Sequence, residues 1–281
     1  GVLQVQNATF NANGNVSLEN GDFALDSFAS FHLAAGQELT AENGADVDFD
    51  QQYIVRDGTT WTFNSASDFT VTRVDVHDGT LEFDGLGSSL VTDLSEGPMR
   101  WGANGHTAVV TFRNDSGGDM DAIDVARDAT PGTTATLNVE SGATITTRGL
   151  SVATNGGDST TGTVNITGSG SAIALSSGNL VVRSPARPAP FSLGAGGSFN
   201  VSAGTTTANA SGAVNFLGGT FFSTGDIDVN GGTFGPLGET GTAFDWANNQ
   251  TMTVRGDGEV LAGFGYDTPD DATCHVAGNK S

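Results

Sequence analysis

Asp46, Asp48 and Asp50 alternate with Val47 and Phe49. In an extended strand this spacing turns all three carboxylates to one side, where they could ligate Ca²⁺, a cation that takes several oxygen ligands. A strand with an apolar inner face and a polar outer face has the same pattern. Asp119, Asp121, Asp124 and Asp128 form a second acidic stretch beside Arg127. Its spacing matches no calcium loop, and it reads as an acidic surface loop. Two carboxylates would also suffice for a glycosidase. Trp61 and Trp101, with Trp246, could then stack on sugar rings, although large aromatics in a stacked β-fold more often fill the core.

Other chemistries lack their residues. The histidines are His32, His77, His106 and His275, none of them in an H-E-x-x-H motif or near a cysteine pair, so zinc has no support. Gly168-Ser169-Gly170-Ser171 is not a nucleophile elbow but a turn between repeat strands, and Gly156-Gly157 follows no strand-to-helix pattern that would hold a phosphate. A lyase acting on an acidic polysaccharide needs a base beside cations. The ten cationic side chains are spread from Arg56 to Lys280, and an acidic glycan would meet a repelling surface. No catalytic residue is assigned, and the chain is expected not to be an enzyme.

The elements that must carry these residues are suggested by composition. Gly makes up 41 of 281 residues, about twice the usual share, which points to many turns. The 37% of apolar residues recur in short regular runs, so the chain folds rather than staying disordered. Thirty-two acidic residues against ten basic ones give a net charge of -22. Nucleic acid and anionic membranes are thereby excluded as partners. Salt would screen the self-repulsion, which favours a saline habitat. Cys274 stands alone, so no intrachain disulfide forms. No apolar run reaches 18 residues, so membrane insertion is not expected. The sequence opens at once on Val2-Leu3-Gln4-Val5, which reads as a strand, so an exported protein would be present here in processed form.

A repeat decides the fold class. Ala135-Thr136-Leu137-Asn138-Val139 returns as Gly162-Thr163-Val164-Asn165-Ile166, as Gly197-Ser198-Phe199-Asn200-Val201 and as Gly212-Ala213-Val214-Asn215-Phe216. The first two copies also agree downstream, through Ile145 and Ile173, then Leu150 with Val152 and Leu180 with Val182. Three short strands per unit at an offset of 27 to 30 residues suit one coil of a three-sided solenoid, whose stacked strands lie about 4.8 Å apart. Asn138, Asn165, Asn200 and Asn215 are expected to hydrogen-bond up the stack at an inward or corner position. Trp61-Thr62-Phe63 and Leu81-Glu82-Phe83 form an earlier pair of like strands. A sandwich or jelly roll is the alternative.

The expected fold is therefore all-β, a parallel β-helix (β-solenoid) in a single elongated stack over 1–266. A proline-rich loop interrupts it at 183–190, and 267–281 reads as a polar tail or cap. Residues 26–35 suit either a helix capped by Asp26 or a strand in which Phe31 and Leu33 alternate. Thr-rich runs such as Thr205-Thr206-Thr207 do not repeat on every coil, as an ice-binding array would require. The sequons Asn165-Ile166-Thr167 and Asn200-Val201-Ser202 fall out of the Asn-containing repeat.

From about Thr136 to Phe234 the Gly-Thr-Val-Asn-Ile strands, the Gly-Gly-Thr-Phe turns and Asn179-Leu180-Val181-Val182 resemble autotransporter-passenger-like β-strand repeats of secreted bacterial proteins, planctomycete ones among them. That resemblance implies a right-handed parallel β-helix and a role in adhesins, filaments or surface layers. The expected function is an extracellular structural or adhesive surface protein, secreted to the cell surface, with a head-to-tail filament or surface layer as its expected assembly. A polysaccharide-active enzyme or glycan-binding module of the tailspike kind is the alternative. No cofactor is expected, with calcium open at Asp46, Asp48 and Asp50, and cell-surface glycans are candidate partners.

Overall fold

In the computed structural model, alternating apolar residues form short strands that stack in parallel without exception among the described pairs. Residues 1–93, 97–127, 130–152, 160–166 and 170–173 are described in full. Beyond them the description covers the backbone of the strands as far as Ala277, with side chains at Ile227, Phe234, 251–254 and 259–260. The strands fall on three faces, and most coils contribute one strand to each. The third face is an eleven-stranded sheet running from Val16–Glu19 to Glu259–Val260. The first begins with Val2–Val5 and Asp22–Leu25, the second with Thr9–Ala12 and Ser30–Leu33. Asp46–Val55 and Asp68–Val76 turn the corner between these two faces as single long strands, which joins most of both faces into one 19-stranded sheet. The chain is thus an all-β solenoid, and no helix occurs among the described residues.

Residue alternation accounts for the interior. On the third face Leu39, Trp61, Leu81, Val110, Leu137 and Val164 pair in successive registers, and all are fully buried. The neighbouring column brings Phe63, Phe83 and Phe112 one above the other, with ring centroids 5.0 and 4.9 Å apart and planes within 14°. This spacing is close to that of neighbouring strands, so register alone stacks the rings. At the corners the chain needs left-handed backbone, supplied by Asn7, Asn20, Asn43, Asn104 and Asn114. Gly102 follows Trp101 at φ +79°, and a Cβ there would lie 2.8 Å from the Thr134 carbonyl oxygen. Only glycine suits that corner.

The repeat aligned in the sequence is the observed register: Leu137 faces Val164, Asn138 faces Asn165, and Leu150 faces Leu180. The asparagine ladder is shorter than expected and lies outside. Asn165 donates to Asn138 at 2.9 Å and Asn138 donates to Thr111 at 3.3 Å. Both alternate with buried Leu137, Val139, Val164 and Ile166, so they project from the outer surface. Asn215 is separated from Asn165 by Ser192, and Asn200 belongs to the first face, in register with Ala174 and Phe222. The motif marks an outward position on a strand, not which face the strand joins. Replacing Asn138 by alanine removes both links, and the urea midpoint is expected to fall by about 1 kcal/mol equivalent with the m-value unchanged.

One open alternative resolves to strand, and two boundaries differ from expectation. Residues 26–35 hold the strand Ser30–Leu33, with Phe31 and Leu33 buried, while the Asp26 carboxylate accepts the Phe28 amide in a local turn rather than capping a helix. The segment 183–190 is not loop throughout: Arg183 ends one strand and Ala189–Gly194 is another, with Pro190 near its start, where a missing amide hydrogen is tolerated. Residues 184–188 lie outside the described ones. Within 267–281, Thr273–Ala277 stacks on Thr251–Arg255, so the ladder runs on past residue 266.

Candidate functional site

Asp46, Asp48 and Asp50 occupy alternate, exposed positions of Asp46–Val55. Alternate residues of a strand stand about 6.6 Å apart, so their carboxylates do not close around one point. No group of three or more His, Cys, Asp or Glu side chains converges for a metal among the described residues. Register instead places Asp46 between Asp22 and Asp68 of the adjacent coils. Partial burial, together with Asp68, Asp22 and Asp48, holds the Asp46 carboxyl above its ordinary range. A folded state that holds a proton more readily than the unfolded chain is most stable below the unfolded value of about 3.9 and loses that increment as pH rises through the raised value. At neutral pH, Asp46→Asn is therefore expected to raise the melting temperature. The gain, about 0.2–0.5 kcal/mol at low salt, should shrink as salt is added.

Trp61 and Trp101 are both fully buried, and neither offers a face to a sugar. Each occupies an inward position of its strand, Trp61 in register with Leu39 and Leu81, Trp101 with Val76 and Val125. They belong to the core, as large aromatics of a stacked fold usually do. The second acidic stretch is not a surface loop either. Asp119 and Asp124 lie in the strands Gly117–Met120 and Ile123–Val125, with Asp121 between them. Asp121 and Asp124 are buried, Asp121 accepting the Gly97 amide and Asp124 paired with Arg127 at 2.7 Å. Burial raises the Asp124 carboxyl, against the opposing pull of Arg127 and Ser151. Asp128 lies outside the described residues.

Four of the ten cations that look scattered in sequence lie on or beside strands of the second face. Arg73 lies in Asp68–Val76 and Arg100 in Met99–Trp101, while Arg127 and Arg148 flank Ile123–Val125 and Leu150–Val152. Asp75, with 4% of its side chain exposed, accepts both Nε and Nη2 of Arg73 at 3.0 and 2.8 Å. It also accepts the Arg100 backbone amide at 2.8 Å and the Gln52 side-chain amide at 2.9 Å. With four bonds to two oxygens, this buried carboxylate is well satisfied. Burial lowers the pKa of nearby His77, with Asp75 opposing.

Gln52 also lines an opening in the stack. Ser30–Leu33 pairs below with Thr9–Ala12, and residues 52–55 pair above with Asp68–Val76. No ladder joins Ser30–Leu33 to 52–55, although the same two coils are paired on the first and third faces. Side chains bridge the wedge instead. The Tyr53 hydroxyl donates to the Phe31 carbonyl at 3.2 Å and Gln51 to the Ala29 carbonyl at 2.8 Å. The Tyr53 ring packs on Trp61 and Phe49, with centroids 4.7 and 5.2 Å away. Burial pushes its hydroxyl well above the usual value, so it remains a donor. What stays open is a depression of about 230 Å³. Phe31, Leu33, Tyr53 and Ile54 form its apolar part, and Ser30, His32, Gln52, Arg56, Asp57 and Thr59 its polar part.

The sequence holds one signal for this wedge. After Phe49, the alternation that should bury apolar residues reaches Gln51 and Tyr53 before returning to Val55. Polar tips at inward positions require partners that a regular ladder would not leave free.

No family model and no curated protein matches the chain. Among solved structures, a hyper-glycosylated fragment of TibA, modified by TibC, aligns over 99% of this chain and 98% of its own. The identity is 15% and the TM-score 0.29.

Proposed function

We propose that the chain is an extracellular structural or adhesive surface element whose work is done by a stiff β-solenoid shaft. The observation that supports this reading is the continuity of the third face, where eleven strands stack in register over a packed core. At about 4.8 Å per strand they span roughly 50 Å. Each coil offers the next the same donors and acceptors, so end-to-end association of copies is the form of assembly that suits this geometry. The resemblance of the repeats to autotransporter-passenger strands fits the same reading, with export to the cell surface. Negative-stain electron microscopy of the purified chain in low and high salt tests it. Rods support the shaft, and filaments with an axial repeat near the shaft length support association. Separate rods at high salt would remove association, and compact particles would overturn the shaft.

A further inference from the structure

The wedge on the second face has the make-up of a sugar site, and we propose that it binds a single neutral pyranose residue of a glycan. This deepens the adhesive form of the reading above and rests on it. A pyranose ring has apolar C–H faces and a rim of hydroxyls that both donate and accept. The depression offers the partly exposed Tyr53 and Ile54 to the former, over buried Phe31 and Leu33, and Gln52, Arg56 and Asp57 to the latter. Its volume of about 230 Å³ is enough to seat one ring. Being open, it lets the neighbouring residues of a glycan leave on either side.

Gln52 in the polar wall is held in place before any ligand arrives. Gln52 donates to Asp75, which Arg73 and the Arg100 amide hold in turn. Arg56 lies between His32 Nδ1 at 3.5 Å and Asp57 at 3.4 Å. The Gln52–Asp75 anchor reduces the ordering cost of binding, while Arg56 and Asp57, with 54% and 60% of their side chains exposed, are free to turn toward a ligand. Charge selects the ligand: Asp57 already matches the Arg56 guanidinium, and a net charge of -22 repels acidic glycans. An added peptide strand is the other occupant that an interrupted ladder could take. Here the Tyr53 hydroxyl already occupies the Phe31 carbonyl to which such a strand would bond.

Saturation-transfer NMR on the full chain tests the proposal, with the methyl glycosides of glucose, galactose, mannose, N-acetylglucosamine and N-acetylneuraminic acid as probes. At least one neutral glycoside is expected to receive saturation. Gln52→Ala and Arg56→Ala, both at exposed positions, should weaken its binding about tenfold or more, the loss of one or two good hydrogen bonds. Thr136→Val, on the third face, should leave binding unchanged. No transfer to any neutral glycoside, transfer unaffected by both wedge variants, or preference for the acidic sugar would each overturn it. Binding that ignores the wedge variants would leave the adhesive reading standing without this site, whereas compact particles in the microscope would remove the shaft and leave the site.

Discussion

Replacing Trp61 by alanine is expected to destabilise the first coils by about 3–5 kcal/mol, among the largest single losses available in this molecule. The ring is fully buried and meets Tyr53, Phe69, Phe31 and Phe49 at centroid distances of 4.7 to 5.9 Å. It is packed on both the core and the bridge that spans the wedge, so no single neighbour can collapse into the space it leaves. Its indole N–H has no hydrogen-bond partner. Trp61→Phe removes that uncompensated donor while keeping most of the ring, so its cost should fall well below that of alanine. Because each coil touches only its neighbours, hydrogen exchange should show the loss near residues 30–70 and much less at Thr134–Glu140. An alanine variant within 1 kcal/mol of the parent in urea unfolding would refute this account of the core.

Asp75→Ala should cost a similar amount, about 3–5 kcal/mol, for an electrostatic reason. Removing the carboxylate leaves the half-buried Arg73 guanidinium without its bidentate partner and takes an acceptor from Gln52 and from the Arg100 amide. The damage comes from the orphaned partners more than from lost attraction. Arg73→Ala combined with Asp75→Ala should therefore be less harmful than the two single losses summed. A double-mutant cycle by urea unfolding reads this as a coupling of about 1 kcal/mol or more. Additive losses would show that the pair does not act as a unit. Asp75 also fixes Gln52, so its loss should loosen the wall of the wedge as well as the fold.

The parts of this architecture legible in sequence are those written by period-two alternation. Leu137 with Val139 and Val164 with Ile166 announce both a strand and its partner, because stacking in register repeats residue type at a fixed offset. Which face a strand joins is not written there. Ser198–Val201 carries the same Asn motif as Gly212–Leu217 but belongs to a different column. Burial of charge was illegible for a similar reason. Asp75 and Arg73 are two residues apart and look like any exposed pair, and only the coil above supplies the Arg100 amide that helps enclose them. The wedge depends on a ladder that fails to form, which alternation cannot express. The polar residues Gln51 and Tyr53 at inward positions were its one trace.

The stacking direction has a mechanical consequence. Backbone hydrogen bonds run along the long axis while the chain itself runs across it, so a pull on the two ends loads the bonds in opening rather than in shear. Coils would peel away singly, and a coil of the 27 residues that separate Leu137 from Val164 would release about 90 Å of contour. Under tension the protein would pay out length in steps at modest force, and a surface carrying it would give way gradually instead of detaching at once.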